Sequence, residues 1–126
     1  MPVRVVDASA AGALIFGEPQ ADEVATALGD APLAAPALLW FELASVCLKK
    51  VKAHPDQTNE ILTAFRLARE LAITTMAVDH ESVVRLAIEA QLTTYDASYL
   101  WLARELAGEL VTLDAALRQA AHAVGQ

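Results

Sequence analysis

Asp7, Glu42, Asp96 and Asp114 are acids set in apolar surroundings, and Ser9 and Thr112 each place a hydroxyl two residues from one of them. Gathered in one cleft, such side chains could not all stay ionised unaided. Carboxylates within about 4–6 Å raise one another's pKa, and desolvation adds to the penalty. The set therefore calls for a cation or for protons, and no lysine or histidine lies near the four in sequence. Oxygen-only ligands without cysteine or histidine suit a hard ion, Mg²⁺ or Mn²⁺, that keeps waters and takes a substrate phosphate. That ion generates hydroxide from water and stabilises charge on a phosphoryl oxygen, which is the chemistry of phosphodiester hydrolysis. Ser9 and Thr112 would position water or hydrogen-bond the carboxylates.

Four kinds of element must deliver these residues. Leu92 to Ala107 reads as a largely buried helix with Asp96 in its first turn, a threonine cap at Thr93 or Thr94, and Gly108 as the left-handed stop. The plain alternative for Asp96 is a second capping group, favoured by the helix dipole by roughly 0.3–1 kcal/mol. Val3 to Val6 is a β-branched run that ends at Asp7 and enters a short helix, A-S-A-A-G-A-L-I-F. Ala21 to Leu28 is a helix, Leu33 to Ala35 a weak strand between prolines, and Ala37 to Ala53 a helix with no evident cap. On that helix Glu42 shares the apolar stripe of Leu38, Leu39 and Val46. Asp56 to Leu71 is predicted as a second helix, with Ile61, Leu62, Phe65 and Leu71 toward the core, packed on the first as a hairpin. Ile73 to Val78 is a third strand, and Asp79 caps a helix to about Ala90. Glu109 to Thr112 is a fourth strand, after which Asp114 begins a last helix through Val124. This alternation implies a parallel sheet with helices on both faces and ligands bound beyond the carboxyl ends of the strands.

Composition narrows the function. The 126 residues are 56% hydrophobic and 20% charged, which fits one folded domain over residues 1–126 and argues against disorder. No apolar run approaches the roughly 18 residues of a membrane span, so no membrane role and a cytoplasmic location are expected. The net charge of −7 argues against a broad nucleic-acid footprint, and any such contact needs cations. Lys49, Lys50 and Lys52 form the one basic cluster, read as a solvated helix end, with a phosphate-facing patch as the sharper alternative. Cys47 reads as a small core residue, and Trp40 and Trp101 as core or interface. His54, His80 and His122 share no spacing that would make a site.

V-V-D-A-S at Val5 to Ser9, F-E-L-A at Phe41 to Ala44, T-Y-D-A-S-Y-L-W-L-A at Thr94 to Ala103 and L-V-T-L-D at Leu110 to Asp114 resemble, in order, the motifs of PIN-domain ribonucleases. The nearest subgroup is the VapC-type toxins of toxin–antitoxin pairs. The resemblance covers nearly the whole chain and implies a three-layer α/β/α PIN-like fold with a central parallel sheet of four strands, or five. Relatives commonly add a strand after the last helix, whereas this chain stops at Gly125-Gln126. It further implies that Asp7, Glu42, Asp96 and Asp114 form a catalytic Mg²⁺ or Mn²⁺ site supported by Ser9 and Thr112. The activity would be hydrolysis of structured RNA of the tRNA or rRNA class. A homodimer and a cognate VapB-type antitoxin occupying the cleft are implied as well. Two other readings compete: a PIN-like module that binds RNA or protein without cutting, and a phosphoacceptor signalling domain. The latter needs a lysine near the acids, and the three lysines all lie at one helix end.

Overall fold

The computed structural model describes residues 2–123, so Val124, expected to end the last helix, and Gly125-Gln126 lie outside the described residues. Four strands, β1 (Arg4–Val6), β2 (Leu33–Pro36), β3 (Ile73–Met76) and β4 (Glu109–Val111), form one sheet in the order β3-β2-β1-β4. Every pairing is parallel, with Arg4 opposite both Leu33 and Glu109. Central β1 has its Val5 and Val6 side chains fully buried, as a continuous apolar run in a parallel sheet requires.

Among the described residues seven helices cover the sheet to give the three-layer α/β/α fold: α1 (Ala8–Ile15), α2 (Ala21–Leu28), α3 (Leu39–Ala53), α4 (Thr58–Leu67), α5 (His80–Ala90), α6 (Thr94–Glu105) and α7 (Ala115–Ala123). They pack in two groups, α1 against α2, α3 and α4, and α6 against α5 and α7. Helix α6 also lies across β1, β2 and β4. Its Tyr99, Leu100, Leu102 and Ala103 join Leu39 and Leu43 of α3 and Leu117 of α7 in the core. Strand β2, which α6 crosses, holds despite its poor propensity because Ala34 and Ala35, on opposite faces of the sheet, are both buried, where small side chains permit close approach of the layers. Among the described residues no helix is long and apolar enough to cross a membrane.

The element plan matches the sequence reading, with local departures. The helix expected over Asp56 to Leu71 is three pieces: a 3₁₀ turn (Pro55–Gln57), α4, and a second 3₁₀ turn (Ala68–Leu71) closed by Ala72 at φ 54°. On it Leu62 faces outward at 43% exposure rather than into the core, because Ile61 takes the buried position beside it. Strand β3 stops at Met76, two residues short of Val78, and is an exposed edge. Helix α3 starts at Leu39, not Ala37, since the Ala37 N–H still donates to the Met76 carbonyl as an extension of the sheet. Helix α6 is not stopped by a left-handed Gly108. Ala107 takes that conformation, at φ 51°. Gly108 is needed for space: a Cβ there would stand 2.5 Å from the Val3 carbonyl oxygen and 2.5 Å from its Cγ1.

Candidate functional site

Asp7 follows β1 and is 95% shielded from solvent, at 5% exposure. It caps α1: the Ala10 N–H donates to its Oδ1 at 3.0 Å. The Ser9 hydroxyl donates to the same oxygen at 2.7 Å, and the buried Thr112 hydroxyl donates to Oδ2 at 2.5 Å. Thr112 follows β4, so this bond ties the ends of the two neighbouring strands together. The Asp7 N–H makes the same link through the backbone, donating to the Val111 carbonyl at 3.2 Å. A carboxylate has about four lone-pair sites. Three are used here, which leaves Oδ2 room for one more partner.

Thr112 also organises Asp114. Its Oγ1 accepts from the Asp114 N–H at 3.0 Å, and Asp114 in turn accepts from the Leu117 N–H at 2.9 Å, starting α7. Arg118 clamps the same strand end, donating from Nη2 to the Thr112 carbonyl at 2.6 Å. Ser9 completes the lattice by accepting from the Leu113 N–H at 2.9 Å. Asp96 occupies the first turn of α6, but it is not the cap. Thr93 is: its hydroxyl accepts from the Asp96 N–H at 3.1 Å, so the Asp96 carboxylate is free of that duty. Glu42 lies in the first turn of α3, half-buried, and its Oε1 accepts from the Tyr99 hydroxyl at 2.6 Å.

The fold brings the four acids into electrostatic range of one another. Burial pushes the Asp7 carboxyl up despite its three donors, and the charge of Asp114 adds to the effect. Asp96 is raised by burial and then by Asp114 and Asp7. Glu42 is raised by burial, offset in part by the Tyr99 hydroxyl, and then by Asp96 and Asp7. None of the four is neutralised by an ion pair: those among the described residues, Arg4–Glu109, Lys50–Glu18 and Arg85–Glu81, involve other acids, and Arg118 spends its Nη2 on the Thr112 carbonyl. Lys50 is further committed to the Phe16 ring, 5.4 Å from its centroid, in keeping with a solvated helix end. Among the described residues, however, no three His, Cys, Asp or Glu side chains form a group that could hold a metal ion by themselves. A Mg²⁺ ion needs only one or two direct carboxylates and keeps several waters, so an all-oxygen set spaced this way fits such an ion without a closed cage.

Tyr99 and Arg118 are the polar contributors that sequence reasoning missed. Tyr99 belongs to the core at 1% exposure, but a buried phenol requires an acceptor, and its position three residues after Asp96 points to the acids. Arg118 follows Asp114 by four residues, the spacing of one helical turn.

Two of the hollows among the described residues flank the α3–α4 hairpin. One, of about 710 Å³, is lined by Trp40, Leu62, Phe65, Arg66, Arg69 and Ile73. The other, of about 840 Å³, runs between the end of α1 and the α3–α4 hairpin, past Phe16, Val46, Lys50 and Ile61. Neither includes any of the four acids.

Comparison with known proteins agrees with the fold. The sequence model of the PIN domain matches residues 4–123. Ribonuclease VapC3 of Pyrobaculum aerophilum is 28% identical over 120 residues, spanning 91% of this chain and 92% of that protein. The crystal structure of PAE2754 from Pyrobaculum aerophilum superposes with a TM-score of 0.76 at 24% identity, covering 94% of this chain and 84% of that one, a likeness of fold.

Proposed function

The chain belongs to the PIN domain family, and from that premise we propose that it is a metal-dependent endoribonuclease, the toxin of a toxin–antitoxin pair, acting on structured RNA of the tRNA or rRNA class. The observation that carries this reading is the gathering of Asp7, Glu42, Asp96 and Asp114 at the carboxyl ends of parallel strands, repelling one another and in none of the ion pairs among the described residues. Its similarity to a protein named Ribonuclease VapC3 supports the choice of reaction.

Asp7, Asp96, Asp114 and Glu42 would hold Mg²⁺ or Mn²⁺, some directly and some through water. The bound ion would supply an activated water and neutralise charge on a phosphoryl oxygen. The chain's own part is placement. Ser9, Thr112 and the Ala10 N–H fix both oxygens of Asp7, and Thr112 and Arg118 lock the β4 end from which Asp114 projects. With a net charge of −7, the protein depends on the ion to bring RNA phosphates to this cleft.

The same reading includes a VapB-type antitoxin, a homodimer and a cytoplasmic location. Apolar surface supports the associations. The α3–α4 hairpin carries exposed Phe41, Leu48, Leu62 and Leu67 beside the two hollows, a suitable bed for an antitoxin segment. Val84 and Ile88, one turn apart on α5, are exposed and suit a contact between two copies.

The deciding experiment is cleavage of folded RNA by antitoxin-free protein with Mn²⁺ or Mg²⁺. Asp7→Asn should lower the rate on the order of 100-fold, equivalent to about 2.7 kcal/mol of barrier. The second reading, a module that binds RNA without cutting it, is favoured by the lack of a closed ligand group among the described residues and predicts binding with no cleavage under either ion.

A further inference from the structure

Unlike Asp7 and Asp114, whose carboxylates accept from the backbone N–H groups of Ala10 and Leu117, Glu42 has a carboxylate whose hydrogen bond comes from a side chain of another element. It hangs on a long side chain from a helix whose N-terminus has no side-chain cap, next to Phe41 at 82% exposure. Left alone, it would turn to solvent, away from Asp96 and Asp7, which repel it. What keeps it is a hydroxyl from another element: Tyr99 of α6, 1% exposed, donates to Oε1 at 2.6 Å.

We propose that Tyr99 is a positioning residue that holds the Glu42 carboxylate in the acidic cleft, leaving Oε2 for an ion or its water. Tyr99 stands three residues after Asp96, so one rigid helix sets the places of two of the four acids, one as its own residue and one by a tether. A phenol buried only for its ring would be satisfied at least cost by a backbone carbonyl. Pairing it with a half-buried carboxylate that two others repel makes sense where that carboxylate must stay put. Partners of this kind, behind ligating carboxylates, govern metal affinity through orientation.

This inference rests on the metal-site reading, and the test separates the two. Mn²⁺ binding is measured by electron paramagnetic resonance of the free ion, without RNA, for the parent, Tyr99→Phe, Glu42→Ala and the double variant. Tyr99→Phe should weaken binding roughly 10-fold or more, the usual effect of such partners. In the Glu42→Ala background it should change binding less than about twofold, because the residue it acts through is gone. Equal Mn²⁺ affinity of parent and Tyr99→Phe overturns the positioning role and leaves the site reading standing. The same loss with and without Glu42 assigns Tyr99 to general packing and also overturns it. A parent that binds no Mn²⁺ removes both. Should Tyr99→Phe fail to fold, the unaltered protein labelled with ¹³C at its two tyrosines decides: Mg²⁺ should shift the Tyr99 ring carbon, and Glu42→Ala should abolish the shift. A Tyr99 signal that ignores saturating Mg²⁺ refutes the tether.

Discussion

Replacing Thr112 with valine keeps the volume of a buried side chain and deletes one hydroxyl. That hydroxyl donates to Asp7 Oδ2 at 2.5 Å and accepts from the Asp114 N–H. Asp114 is exposed and its N–H can turn to water, so the loss falls on Asp7. A hydrogen bond to an ionised group contributes about 1.5–3 kcal/mol, against about 1 kcal/mol for a neutral pair. The cost of Thr112→Val should thus depend on the charge of Asp7. In the parent, burial already holds the Asp7 pKa above its unfolded value. A raised acid lowers stability as pH rises through the unfolded pKa of about 3.9, and its penalty is absent below that pH. Valine removes a group that holds the pKa down, so the folded pKa rises further and the penalty deepens by about 1.4 kcal/mol for each added unit. Urea melts in EDTA should show Thr112→Val destabilised by about 2–3 kcal/mol at pH 8 and by about 1 kcal/mol near pH 4. Thr112→Ser, which retains the donor, should recover most of the difference. Equal costs at both pH values, or a loss under about 0.5 kcal/mol at pH 8, would refute the claim that Thr112 stabilises an ionised Asp7.

Asp96→Asn should be as stable as the parent in EDTA, or up to about 1 kcal/mol more stable, because Thr93 performs the capping and a repelling charge is gone. With Mn²⁺ at about a hundred times its dissociation constant the parent should gain roughly 2.7 kcal/mol and the variant much less, as read from paired denaturant melts. The parent in EDTA should lose stability as pH rises past about 4, since Asp7, Glu42 and Asp96 are all raised; a curve that climbs through that window contradicts the mutual repulsion. Gly108→Ala should cost about 2–3 kcal/mol through collision with Val3, whereas Gly17→Ala, at φ 63° in open space, should cost about 1 kcal/mol; thermal melts will rank them. Phe41→Ser should leave monomer stability within about 0.5 kcal/mol and weaken antitoxin binding in calorimetry if α3 forms part of the groove.

Much of this protein is legible in its sequence because the relevant signals are local. The β-branched run before Asp7, the threonine before Asp96 and Asp79 before its helix follow from backbone sterics and from the orphan N–H groups of a helix start, which read only a few neighbours. The order of strands and helices then restricts the acids to one end of a parallel sheet. What the tertiary structure decided depends on partners far away in the chain. That Ala34 and Ala35 make a strand depends on the layers that bury both faces of β2, not on their propensity. Gly108 reads as a helix stop, yet its requirement is set by Val3, more than a hundred residues earlier. Leu62 looks as apolar as Ile61, and only the packing of α4 on α3 exposes one and buries the other. The bonds from Thr112 to Asp7 and from Tyr99 to Glu42 join residues 105 and 57 positions apart. No periodicity encodes such contacts, because a hydroxyl's choice of acceptor is made by whichever group the packed core leaves within 3 Å of it.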